Sequence, residues 1–313
     1  MRSSGSIRSS LAAGRDHHAA PLVGAGVATV LWSMGNLIAS GAALPGPQLA
    51  FWRVLLGALA YQAVFHLRGG RMSAQTFRTA ALGGFAFGLS ASLFFTALKL
   101  TTVASATVIA ALQPVLLLPY TTRRMGEHVD RSRLLLTAVA VTGTVIVVSA
   151  SSSSGTWSPF GDLLALLGTM VGCAYFVGTK QARRTLDTLE YQAAALPVGA
   201  VVALVGALVT GPGLVRPTAA DLGTAAVMTA IPGTGHLLMS WAQKHLDVTT
   251  TATMALDVTV LSSLGAVVFF GQSLNAVQVL GMAVVLVALG LYVRLSAGRP
   301  TIDPAEVAVT PGE

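Results

Sequence analysis

Residues 275–295 read NAVQVLGMAVVLVALGLYVRL, and nineteen positions pass before the first charge, Arg294. A helix satisfies its own backbone hydrogen bonds, and roughly 20 residues of it cover the ~30 Å hydrocarbon core of a bilayer. That run is therefore a membrane span. Working outward from it, nine more stretches qualify, near 22–43, 48–66, 79–98, 101–122, 133–151, 161–179, 191–213, 221–242 and 248–270. Turn formers separate them: Pro45-Gly46-Pro47, the Ser151 to Gly155 run, Gly211-Pro212-Gly213 and Gly271. The whole chain agrees, with 53% hydrophobic and 10% charged residues and mean hydropathy +0.71, where soluble domains carry about 25% charge. The expected fold is an all-α integral membrane protein of ten transmembrane helices. The tails, 1–20 and 297–313, are rich in Ser, Gly, Pro and charge and are expected to be disordered.

Charge placement sets the orientation. The net charge of +7 does not mark a nucleic-acid binder, because the basic residues sit between apolar runs rather than on one polar face. Sixteen of them alternate onto one side, among them Arg68, Arg71, Arg123, Arg124, Arg131, Arg133, Lys180, Arg183, Arg184 and Lys244, against Lys99 and Arg216 on the other. Cytoplasmic loops retain positive charge, so both termini are expected in the cytoplasm, which requires an even number of spans. The N-terminal apolar run is too long for a signal peptide and reads as the first span. Asp16-His17-His18 offers too few ligands for a metal cage, and the lone Cys173 allows no internal disulfide. No Walker loop, HExxH or GxSxG is present, so no enzyme chemistry, cofactor or metal is expected.

The chain also repeats itself. Residues 242–271 laid over 97–126 pair Ala97 with Ala242, Lys99 with Lys244, Val103 with Val248, Ala110 with Ala255, Val115-Leu116 with Val260-Leu261 and Gly126 with Gly271. Each half then holds five helices, and an odd number turns the second half upside down, giving two inverted five-helix repeats of the kind found in alternating-access transporters.

At this point the sequence resembles the drug/metabolite transporter superfamily in its ten-span form with two EamA-type halves, 21–151 and 161–296. The resemblance rests on Trp32, Gly35 and Asn36; Pro47 to Arg53; Ala97-Leu98 through Gln113-Pro114; Gly126-Glu127; Gly143; Ala174-Tyr175; and Gly281 with Gly290. The second half departs from the first at Thr259, opposite Pro114, and at Gln272, opposite Glu127. The resemblance implies a central cavity lined by spans one to four and six to nine, with spans five and ten peripheral. It also implies export of metabolites, amino acids or toxic compounds from a cytoplasmic membrane.

An ionised group inside a bilayer costs about 2.5 to 3.5 kcal/mol, which marks such residues as functional candidates. Asp257, about nine residues into the ninth span, is the strongest, as a proton-exchanging or substrate-binding carboxyl, with an interhelical hydrogen bond as the plainer reading. Arg53 either snorkels outward, binds a substrate carboxylate or pairs with Asp257 in one transport state. His236 follows Pro232-Gly233, where a broken helix would expose carbonyls; Gln113 precedes Pro114, whose missing N–H frees a carbonyl. Trp32, Asn36 and Tyr175 complete the expected substrate-binding set. Gly84-xxx-Gly88 and Gly168-xxx-Gly172 are read as helix-packing motifs. The expected partners are the lipid bilayer, a small organic substrate and protons, with a homodimer left open. The competing expectation is a passive facilitator in which Asp257 is structural.

Overall fold

The computed structural model describes the backbone of residues 4–40, 42–101, 103–150, 158–209, 214–271 and 273–297. Twelve helices and no strand occur among the described residues: α1 (Ser4–Ser40), α2 (Gly46–Leu67), α3 (Ala74–Leu100), α4 (Val103–Ala110), α5 (Gln113–Arg124), α6 (Arg131–Ser149), α7 (Pro159–Ala182), α8 (Thr188–Val209), α9 (Ala219–His245), α10 (Val248–Met254), α11 (Asp257–Phe270) and α12 (Ala276–Ala297). Side-chain caps fix several starts. Ser73, Asp130 and Ser158 each accept a backbone N–H three residues on, and Thr218 with Asp221 forms a capping box. α1 begins at Ser4, within the tail expected to be disordered. Residues 298–313 lie outside the described residues.

Eight stretches are long and apolar enough to cross a membrane, with α10 and α11 counted together as Val248–Phe269. The two other expected spans are built differently. Residues 101–122 carry the short helices α4 and α5, and 221–242 lie within the 27-residue α9. Large apolar side chains stand on the outward faces: Leu135, Val268 and Val287 are 66%, 76% and 62% exposed, a surface suited to lipid rather than water.

The packing follows the sequence repeat. α1 lies against α9 as α7 lies against α3, α2 crosses α8, and α6 packs on α12. This is the pattern expected if a two-fold exchanged the halves. Backbones approach closely where glycine removes the side chain. A Cβ at Gly143 would lie 3.0 Å from the Gly281 carbonyl and one at Gly281 3.0 Å from that of Gly143, while Gly84 and Gly88 abut the Ala195 and Gly199 carbonyls. Gly168 packs in the same way on Leu93 and Phe94 of α3, whereas Gly172 faces only the Gln113 amide.

Two ends of the bundle are distinguishable. At one, Thr76 of α3 donates to Glu190 of α8, Lys180 of α7 to the Leu246 carbonyl, and the Val248 and Thr249 N–H groups opening α10 donate to Glu127. At the other, Thr101 donates to Asp162, the Val215 N–H to Gln48 and Asn275 to the Ala150 carbonyl. The first end gathers the arginines and lysines of residues 123–133 and 180–184, and three of them are buried: Arg133, Lys180 and Arg183 are 2%, 7% and 2% exposed.

Candidate functional site

Both halves contain a helix broken midway, at equivalent places. The offset of 145 carries α4 onto α10 and α5 onto α11. It also carries Gly126, at φ +68°, onto Gly271, at φ +64°. In the first half Pro114, without an N–H, sits in the first turn of α5, and Leu112 donates to the Ile109 carbonyl at 3.1 Å. The second break has no proline. There the chain tightens into three-residue turns, with Leu256 donating to Thr253 at 3.1 Å, Val258 to Ala255 at 3.3 Å and Thr259 to Leu256 at 3.4 Å. Sequence reading treated both segments as continuous spans; the interruption leaves backbone polar groups and helix ends in the middle of the bundle.

Asp257 opens α11 at this break. Its Oδ2 accepts from the Thr29 hydroxyl at 3.0 Å, while Oδ1 is buried and has no partner. The helix start favours its negative charge. Two turns along α1 from Thr29, Asn36 donates to Ser262 of α11 at 3.2 Å. Gln113 opens α5 in the same way: its Nε2 is buried and unpartnered, and the Cys173 thiol points at its carbonyl, 3.8 Å away.

The remaining candidates converge elsewhere, around His236. Its ring lies 4.9 Å from Trp32, 4.8 Å from Phe87 and 6.0 Å from Tyr175, and its Nδ1 is 3.2 Å from the Tyr175 hydroxyl. Beside it a pocket of about 330 Å³, including its open mouth, is lined by Arg53, Val54, Gly57, Tyr61, Phe87, Gln192, Leu196, Met228, Thr229, Gly233 and His236. The Arg53 guanidinium lies 5.7 Å from the Phe87 ring and 5.8 Å from the Phe95 ring, and its Nε is buried without a partner.

The helix break expected at Pro232-Gly233 does not form. α9 runs unbroken through Pro232-Gly233, because its neighbours support the loosened turn: Pro232 is buried, and Tyr61 donates to the Gly233 carbonyl at 3.3 Å. Arg53 and Asp257 do not pair in this state; the ion pairs among the described residues join Arg133 to Asp130 and to Asp247. Arg53 also does not snorkel outward, since aromatic rings hold its head group against the pocket. Tyr61, Phe87 and Gln192 were missed because nothing in their spacing marks them. Gln192 Nε2 donates to the His236 carbonyl at 3.2 Å and the Ser240 hydroxyl at 3.3 Å, tying α8 to α9 beneath the pocket.

A bundle of apolar helices, interrupted at two related places and enclosing a polar-edged pocket, is a membrane protein with the parts of a transporter. The chain belongs to the EamA-like transporter family, whose model matches it twice, over residues 21–149 and 159–294. It is 24% identical over 198 residues, 63% of this chain and 70% of the relative, to an uncharacterised transporter of Archaeoglobus fulgidus. Its fold is also that of a protein of known crystal structure, at a TM-score of 0.73 and 23% identity, covering 89% of this chain and 97% of the other. It is therefore a multi-pass membrane transporter.

Proposed function

We propose that this transporter exports small organic metabolites from the cytoplasm by alternating access and that Asp257 couples the movement to protons. In this reading the bundle has ten spans, with α4–α5 and α9 crossing as well. The halves are inverted, and both termini are cytoplasmic, since the end rich in Arg and Lys is the one retained inside. The observation that carries the proposal is the Asp257 carboxyl. It stands at a helix break, held by one hydroxyl, with Oδ1 unsatisfied, in a place where burying a charge is unfavourable unless it does work. A group balanced in this way binds a proton in one conformation and releases it in another, and the paired breaks at α4–α5 and α10–α11 provide the hinges.

The test is flux of a metabolite and drug panel in proteoliposomes, with and without a pH gradient, for the native chain and Asp257→Asn. The proposal expects some compound to accumulate only under the gradient and the substitution to abolish that accumulation while the protein stays folded. Gradient-independent flux, unchanged by the substitution, would instead make the protein a passive facilitator and Asp257 an interhelical tie.

A further inference from the structure

The pocket between α2, α3, α8 and α9 has a charge imbalance that the proposed function does not use. Arg53 is a guanidinium facing an apolar enclosure, and among the described residues no carboxylate lines the same pocket. Its Nε is buried with no hydrogen-bond partner, and so is the Nε1 of Trp32, whose ring lies 4.9 Å from that of the pocket-lining His236. The Phe87 and Phe95 rings offset part of the cation's lost hydration through their electron-rich faces, but a quadrupole does not neutralise a charge. The other polar groups are already engaged, Tyr61 with the Gly233 carbonyl and Gln192 with α9. What is left over is positive charge and N–H donors, bounded by the apolar walls of Val54, Leu196 and Met228.

We infer that this pocket recognises organic monocarboxylates with an aromatic or branched apolar body, the carboxylate meeting Arg53 and the body lying against Phe87, Leu196 and Met228. A planar guanidinium matches a carboxylate through two parallel N–H donors. A cationic substrate would be repelled by the same group. An amino acid fits less well than its deaminated counterpart, because the pocket offers its ammonium no carboxylate: Asp257 is held by Thr29 on α1 and does not line the pocket. The inference rests on the transporter reading for its purpose but not for its test, since it concerns binding alone.

The experiment is quenching of tryptophan fluorescence in the full chain in nanodiscs, titrated with 3-phenylpropanoate, its neutral amide, phenylalanine and phenethylamine. The expected order of affinity is carboxylate first, with the amide at least about tenfold weaker because a charge-assisted hydrogen bond is lost, phenylalanine between them and phenethylamine without saturable binding. Arg53→Gln should erase the preference for acid over amide. If Arg53→Gln does not fold, Met228→Trp, which fills the pocket and leaves Arg53 intact, should remove binding of both acid and amide. Equal affinity for acid and amide, or tighter binding of the amine, would overturn the inference. Transport of amines or neutral compounds alone would leave the proposed exporter standing and sink the carboxylate pocket, whereas carboxylate binding without gradient-driven flux would do the reverse.

Discussion

The break between α4 and α5 and the break between α10 and α11 occupy equivalent places, yet they carry different chemistry. Position 112 in the first half is Leu, packed among Ala111, Ala140, Val141 and Val260; its counterpart at 257 is Asp, bonded to Thr29. The first break is made by Pro114, the second by tightened turns without proline. The comparison separates scaffold from function. Duplication keeps the interruption, which is a matter of backbone, and only one copy is given a titratable group. In the proposed mechanism the two halves move alike, and one carboxyl suffices to sense a proton.

The largest test of that asymmetry applies the same exchange in opposite directions. Leu112→Asp puts a carboxylate against the apolar cluster of Ala140, Val141 and Val260 and should destabilise the protein by about 3 kcal/mol, read as a clear fall in thermal midpoint or in folded yield. Asp257→Leu removes a half-buried charge. It strands no donor, because the one proton of the Thr29 hydroxyl has the Gly26 carbonyl, 2.7 Å away, as an alternative acceptor. Replacing a buried charge by an apolar group of similar size is often neutral or stabilising. Gradient-driven transport should vanish while the thermal midpoint stays level or rises. A sharp loss of stability in Asp257→Leu would show that the two breaks differ in architecture as well as in function.

A second difference lies at the ends of these broken helices. Both oxygens of Glu127, in the loop after α5, cap the start of α10: Val248 N–H donates at 2.6 Å, Thr249 N–H at 3.1 Å and the Thr249 hydroxyl at 2.8 Å. A lost cap costs about 1–2 kcal/mol, so Glu127→Ala should lower stability by that amount and Glu127→Gln by less. Burial, first, and the nearby Asp247, second, push the Glu127 carboxyl above its usual range, against the pull of its hydrogen bonds. The folded state therefore holds the proton more tightly than the unfolded one. That contribution to stability is present below pH 4.5 and is lost as pH rises through the raised folded value. Denaturation in detergent should show the native protein losing stability across this window relative to Glu127→Gln; parallel profiles would assign the shift elsewhere.

Hydropathy was enough to find eight of the ten expected stretches as long apolar helices, because a lipid-facing helix must be apolar over its full length, and the matched residues at an offset of 145 were enough to find the duplication. The second break was hidden for a physical reason: it is built from backbone turns at 255–259, and residues such as Leu256 and Val258 continue a helix as readily as they interrupt one. Arg133, Lys180 and Arg183 read as loop charges that set orientation, yet they are buried and clamp carbonyls or carboxylates across helices. Charge counting locates such residues along the chain and says nothing of their partners. The pocket was half legible. Arg53 and His236 stand out as ionisable groups in apolar runs, whereas Tyr61 and Gln192 resemble ordinary residues near helix ends, and only the crossing of α8 with α2 and α9 places them together.

The smallest expected effect bears on the symmetric part of the comparison. Gly126 and Gly271 close α5 and α11 at φ +68° and +64°, and a Cβ added at either meets nothing within 4 Å. Packing is therefore not what excludes a side chain there; the left-handed backbone is. Gly126→Ala and Gly271→Ala should each destabilise by about 1 kcal/mol, and by the same amount within the error of paired thermal or denaturant measurements. Their double substitution should be additive, because the two turns close different helices and share no hydrogen bond. If Gly126→Ala costs clearly more, the turn leading into Glu127 does more than end a helix. Its geometry would then be part of how α10 is capped, and the asymmetry between the halves would reach the backbone itself.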